Sequence, residues 1–111
     1  MSNDSIVIVA AKRTPIGGMN GQFVGLTAPQ LGATAIVACL QQAGLKGEDV
    51  SEAIIGCVLP AGLGQAPARQ AVLGAGLPKS IACTTINKVC GSGMKAAMLA
   101  YDQISAGSAG I

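Results

Sequence analysis

The 111 residues carry seven basic and five acidic side chains scattered along the chain, with Phe23 and Tyr101 the only aromatics; neither a basic stripe nor a stacking platform for nucleic acid is present. Cys39, Cys57, Cys83 and Cys90 stand too far apart for a Cys-x-x-Cys site and histidine is absent, which excludes the common zinc and disulfide frameworks and suits reduced thiols in the cytoplasm. Half of the residues are hydrophobic, but the apolar run at residues 6–11 is too short for a signal-peptide core or a membrane span, so the expectation is a soluble domain, without membrane, whose core is built from Ala, Val, Ile and Leu.

Ile6-Val7-Ile8-Val9-Ala10 is a continuous β-branched run, and it predicts a strand covered on both faces, as in a parallel sheet. A Gly-rich connection follows from Lys12 to Leu26. Thr27-Ala28-Pro29-Gln30 then has the form of a capping box with proline in the first turn, and predicts a helix running to about Ala43 and stopping at Gly44. Leu31, Ala35, Ile36, Val37, Ala38, Cys39 and Leu40 leave hardly any polar face, so this helix is expected to be largely buried.

Residues 47–52 hold the acidic cluster, expected as a solvated turn before a second strand over 53–59. Pro60-Ala61-Gly62-Leu63-Gly64 ends that strand, and a helix begins near Pro67, where proline is tolerated, and ends at Gly74 or Gly76. A third strand over about 81–86 leads into Cys90. The last helix gathers Met94, Ala97, Met98, Tyr101 and Ile104 on one apolar face, expected to be core, with Gly107 as its stop. The order is β-α-β-α-β-α, an α/β arrangement without internal repeats.

Glycine-rich turns after strands invite a nucleotide reading, but two near misses fail. Pro67 occupies the third glycine position of a dinucleotide fingerprint starting at Gly62, and residues 74–80 lack the glycine a P-loop needs before its lysine. Cys90 is the residue that carries chemistry. It lies between a strand and a helix start, flanked by Gly91 and followed by Gly93, where unpaired backbone N–H groups and the positive end of the dipole favour a thiolate and a developing oxyanion. Cys39, inside an apolar helix pattern, is the inert kind. Cys90 is therefore expected to be the most reactive thiol of the chain.

The chain resembles the N-terminal part of the thiolases, the acetyl-CoA acetyltransferase and 3-ketoacyl-CoA thiolase family. Ile8-Val9-Ala10-Ala11-Lys12-Arg13-Thr14-Pro15-Ile16-Gly17 carries this, with Val58-Leu59-Pro60-Ala61-Gly62-Leu63-Gly64-Gln65-Ala66-Pro67-Ala68-Arg69-Gln70. Ala75-Gly76-Leu77-Pro78 and Thr85-Ile86-Asn87-Lys88-Val89-Cys90-Gly91-Ser92-Gly93-Met94-Lys95-Ala96 complete it. The resemblance implies the layered αβαβα fold, with residues 1–111 an incomplete N-terminal domain of it. It also implies that Cys90 takes the acyl group of an acyl-CoA as an enzyme thioester and that its backbone N–H contributes to an oxyanion hole. Coenzyme A thioesters are then substrates, no cofactor is permanently bound, and the full-length enzyme is a homodimer or homotetramer.

Arg13 and Arg69 fall in family motifs and read as structural or subunit-contact residues. The family's histidine in a Gly-His-Pro stretch, its second cysteine in Cys-x-Gly-Gly, its Asn-rich segment and most of its CoA-holding segment lie beyond Ile111, so no CoA-binding residue is assigned here. A helix start contributes about 0.3 to 1 kcal/mol to an anion, so it activates a thiol only in part, and the remainder requires a general base that this histidine-free chain does not supply. Two other readings stay open: a catalytically silent module of the same fold, and a ketoacyl synthase or hydroxymethylglutaryl-CoA synthase. The wording Asn-Lys-Val-Cys-Gly-Ser-Gly favours thiolase over the latter pair.

Overall fold

A computed structural model describes residues 5–111. Helix α1 (Ala28–Ala43) starts where the capping box requires it: the Thr27 side chain accepts from the Gln30 N–H at 3.3 Å and the Gln30 Oε1 accepts from the Thr27 N–H at 2.8 Å. Gly44, at φ 68°, ends it in the left-handed conformation. A 3-10 turn at Gly47–Asp49 leads into β1 (Glu52–Gly56), and α2 (Pro67–Gly74), β2 (Ala82–Ile86) and α3 (Ser92–Ala106) follow.

Strands β1 and β2 are parallel, in a register that pairs Glu52 with Ala82 and Gly56 with Ile86. Side chains alternate along β1. Ala53 and Ile55 pack against the cluster of Val72, Leu77 and Ile81, to which α1 adds Ile36 and Leu40. Gly56 turns the other way, toward the start of α3, so α1 and α2 cover one face of the sheet and α3 the opposite one. Helices α1 and α2 approach closely through small residues: a Cβ on Gly32 would lie 3.3 Å from that of Ala71, and one on Gly74 would lie 3.4 Å from that of Ala33.

Helix α2 has no capping side chain of its own, since Ala66 stands at its N-cap with φ 48°. Its cap comes from the sheet, where the Thr85 Oγ1 accepts from the Ala68 N–H at 3.0 Å. The Gln70 side chain donates to the Leu63 carbonyl at 2.6 Å and the Gln65 carbonyl at 2.7 Å, pinning the preceding loop. Thr85→Val keeps the shape of the side chain but orphans a part-buried N–H. We expect a loss of about 1 to 2 kcal/mol, seen as a lower urea midpoint with an unchanged slope.

Four sequence expectations are corrected. Residues 6–10 form no strand: Val7, Ile8 and Val9 are 68%, 86% and 60% exposed. A strand exists only through a neighbour's ladder, and an open slot of about 750 Å³ separates this segment from Ile111, with Ala43, Leu45, Tyr101 and Ile104 along its walls. Just before β1, the Ile111 carbonyl accepts from the Ser51 N–H at 2.7 Å. The segment is tied through the Ala11 N–H, which donates to the Gln42 Oε1 at 3.1 Å.

Helix α1 is not largely buried, since only Pro29 and Ala33 reach that state; α2 covers one side of it and the slot opens along its C-terminal end. The apolar face expected for α3 is also reversed. Met94, Met98 and Tyr101 are exposed, while Ser92 and Ala96 are buried. Small residues win that side because β1 presents Gly56 there and the helix approaches to backbone contact. The second strand is shorter than expected, ending at Gly56 and leaving Val58 and Leu59 exposed.

Candidate active site

Strand β2 and helix α3 are joined by residues 87–91, and the chain reverses there through a strained turn. Val89 has φ 49°, a conformation costing on the order of 1 to 3 kcal/mol for a β-branched side chain. Several bonds hold it. The Asn87 Oδ1 accepts from the Val89 N–H at 2.9 Å, while the Asn87 Nδ2 donates across to the Val58 carbonyl at 3.1 Å. The Gly91 N–H donates to the Lys88 carbonyl at 3.0 Å and the Ser92 N–H to the Val89 carbonyl at 3.2 Å.

Cys90 sits on the outside of this turn, exposed, whereas Cys39, Cys57 and Cys83 are half-buried. No side chain caps α3, whose N-cap is Gly91. The N–H groups of Cys90, Gly93 and Met94 have no hydrogen-bond partner among the described residues. A solvent-facing thiol and unpaired backbone donors thus share one helical turn, the arrangement suited to attack on a carbonyl whose oxygen gains negative charge.

The turn is seated by Gly56. A Cβ there would lie 2.6 Å from the Ser92 carbonyl carbon and 2.8 Å from the Gly93 nitrogen, so the absence of a side chain lets the first turn of α3 rest on the end of β1. Sequence reasoning found Cys90 and its glycines but missed Asn87, Ser92 and Gly56 as the parts that hold it. An Asn two residues before a turn was the available signal, since its side chain commonly bonds the backbone two residues on. Arg69 donates to the Lys79 carbonyl at 3.3 Å, a structural tie, and Arg13 lies exposed on the N-terminal segment. Among the described residues, no group of His, Cys, Asp and Glu is placed to hold a metal ion and no helix is long and apolar enough to cross a membrane.

The family profile for the thiolase N-terminal domain matches residues 6–111. The chain belongs to the thiolase family. An acetyl-CoA acetyltransferase of Schizosaccharomyces pombe is 51% identical over 111 residues, all of this chain and 28% of that protein. The human mitochondrial acetyl-CoA acetyltransferase is 56% identical over 102 residues, 92% of this chain and 24% of that protein. A crystal structure of an Ascaris suum thiolase in complex with coenzyme A superposes with a TM-score of 0.89 at 39% identity, over 92% of this chain and 27% of the other. The thiolase chain therefore spans about a quarter of the length of these relatives, and its α/β architecture is that of the N-terminal part of the fold.

Proposed function

We propose that this thiolase segment supplies the nucleophile of an acyltransferase working on coenzyme A thioesters. The observation that carries the reading is the exposed Cys90 thiol on a strained turn beside unpaired backbone N–H groups. Its Sγ attacks the thioester carbonyl of acetyl-CoA, a new C–S bond forms, and the bond to CoA breaks. CoA departs as a thiol, taking up the proton that Cys90 gives to a general base. A base then takes a proton from the methyl carbon of a second acetyl-CoA, that carbon attacks the enzyme thioester, and the C–S bond to Cys90 breaks as the thiolate leaves and is reprotonated, giving acetoacetyl-CoA; thiolysis of a 3-ketoacyl-CoA by CoA is the reverse.

The N–H of Cys90, with those of Gly93 and Met94, provides donors of the kind an oxyanion needs. Names of similar proteins and the coenzyme A complex of the Ascaris thiolase support the substrate class. The base belongs outside these residues, which contain no histidine. A homodimer or homotetramer is proposed for the full-length enzyme, on the family resemblance alone.

Acetyl-CoA alone, given to the full polypeptide carrying this chain, is expected to leave one acetyl group per subunit on the peptide containing Cys90, as read by intact-mass and peptide mass spectrometry. Acetylation elsewhere, or none, overturns the reading.

A further inference from the structure

We propose that Ser92 is the positioning residue for Cys90, an inference that rests on Cys90 being the reacting thiol. The Ser92 side chain is the one buried polar group among the described residues, at 3% exposure. Its Oγ accepts from the Lys88 N–H at 2.7 Å and donates to the Val89 carbonyl at 2.6 Å. The hydroxyl thereby clasps the two peptide groups that bracket Lys88 and Val89. One of them matters most: the Val89 carbonyl belongs to the peptide that carries the Cys90 N–H, so the bond orients that amide and the Cα–Cβ direction of Cys90 together.

A valine left to itself avoids positive φ. Beside the Asn87 side chain and the Gly91 and Ser92 N–H groups, the Ser92 hydroxyl holds Val89 at 49°, because relaxation of Val89 would rotate the carbonyl away and orphan the Lys88 N–H. Its own seat is rigid, since the Ser92 backbone lies against Gly56. Thus β1, through Gly56 and Ser92, dictates the direction in which Cys90 points. Alanine at 92 keeps the helix, the packing and the Asn87 and backbone ties of the turn but removes the two hydroxyl bonds, so the turn loosens and the thiol loses its alignment with the α3 terminus.

The test uses the full polypeptide and iodoacetamide, with peptide mapping of Cys90 against Cys39, Cys57 and Cys83 between pH 6 and 9. Ser92→Ala is expected to slow alkylation of Cys90 at neutral pH by about fivefold to fiftyfold, leaving the other three thiols unchanged. Adding Val89→Gly, which removes the penalty on positive φ at an exposed position, is expected to bring Cys90 back to within about threefold of the parent.

An unchanged rate in Ser92→Ala, or no recovery in the double variant, overturns the proposal. If Ser92→Ala unfolds, all four thiols label alike. Recovery of both fold and Cys90 preference on adding Val89→Gly then supports the proposal, and its failure refutes it. Parallel samples receive acetyl-CoA. A parent protein whose Cys90 never accepts acetyl refutes the acyl-transfer reading, while the alkylation series, which needs no CoA chemistry, still reports on Ser92.

Discussion

Cys90→Ala is expected to lower acyl transfer by the full-length enzyme at least about a thousandfold, a loss of ~4 kcal/mol of transition-state stabilisation. In the proposed mechanism the thiol supplies the bond that divides the reaction into two steps, and Cys39, Cys57 and Cys83 are not placed to replace it, being half-buried within or beside helices and strands. Stability is expected to stay within about 0.5 kcal/mol, since Cys90 is exposed and its side chain holds no hydrogen bond among the described residues. Steady-state turnover and thermal melting on the same samples separate the two effects. Substantial turnover by the variant removes Cys90 from the mechanism, and a lowered melting temperature assigns it a structural role.

Gly56→Ala is expected to be the most damaging single-methyl change in the chain, with a stability loss of about 3 kcal/mol, at the upper end of the range for overpacking. The new Cβ would meet the backbone of Ser92 and Gly93 at 2.6 and 2.8 Å, atoms that cannot rotate aside as a side chain would. Either β1 and α3 separate or the first turn of α3 deforms, and both disturb Cys90. Loss of stability with a fall in Cys90 alkylation is the expected pair of results. Gly93→Ala is the control, because no atom lies within 4 Å of its added methyl and helix propensity favours alanine. Equal behaviour of the two variants would show that Gly56 does not seat the helix.

Much of the local structure is legible in the residues themselves. Thr27 and Gln30 write their capping box in adjacent sequence, Gly44 and Gly107 stand at left-handed helix ends, and Pro67 opens α2. These signals work because their hydrogen bonds and dihedral demands close within four or five residues, where sequence separation is spatial separation. Cys90 was legible for the same reason, lying between an apolar run and a helix with glycine on its helical side.

What connects distant residues was not legible. The run at residues 6–10 has the composition of a buried strand, yet a strand is defined by its neighbours, and here only the tertiary arrangement decides whether a ladder forms. On α3 two stripes compete, the larger one through Met94, Met98 and Tyr101 and the smaller through Ser92 and Ala96. Hydrophobicity favours the first, but close approach to Gly56 selects the second, because the attainable separation depends on what the strand presents. Thr85 capping α2 from β2 and Asn87 bridging to Val58 span 17 and 29 residues. The chain alone therefore determined that Cys90 stands at a helix start, whereas the seat of that turn on Gly56 follows from a contact with β1 that exists only once the sheet has formed.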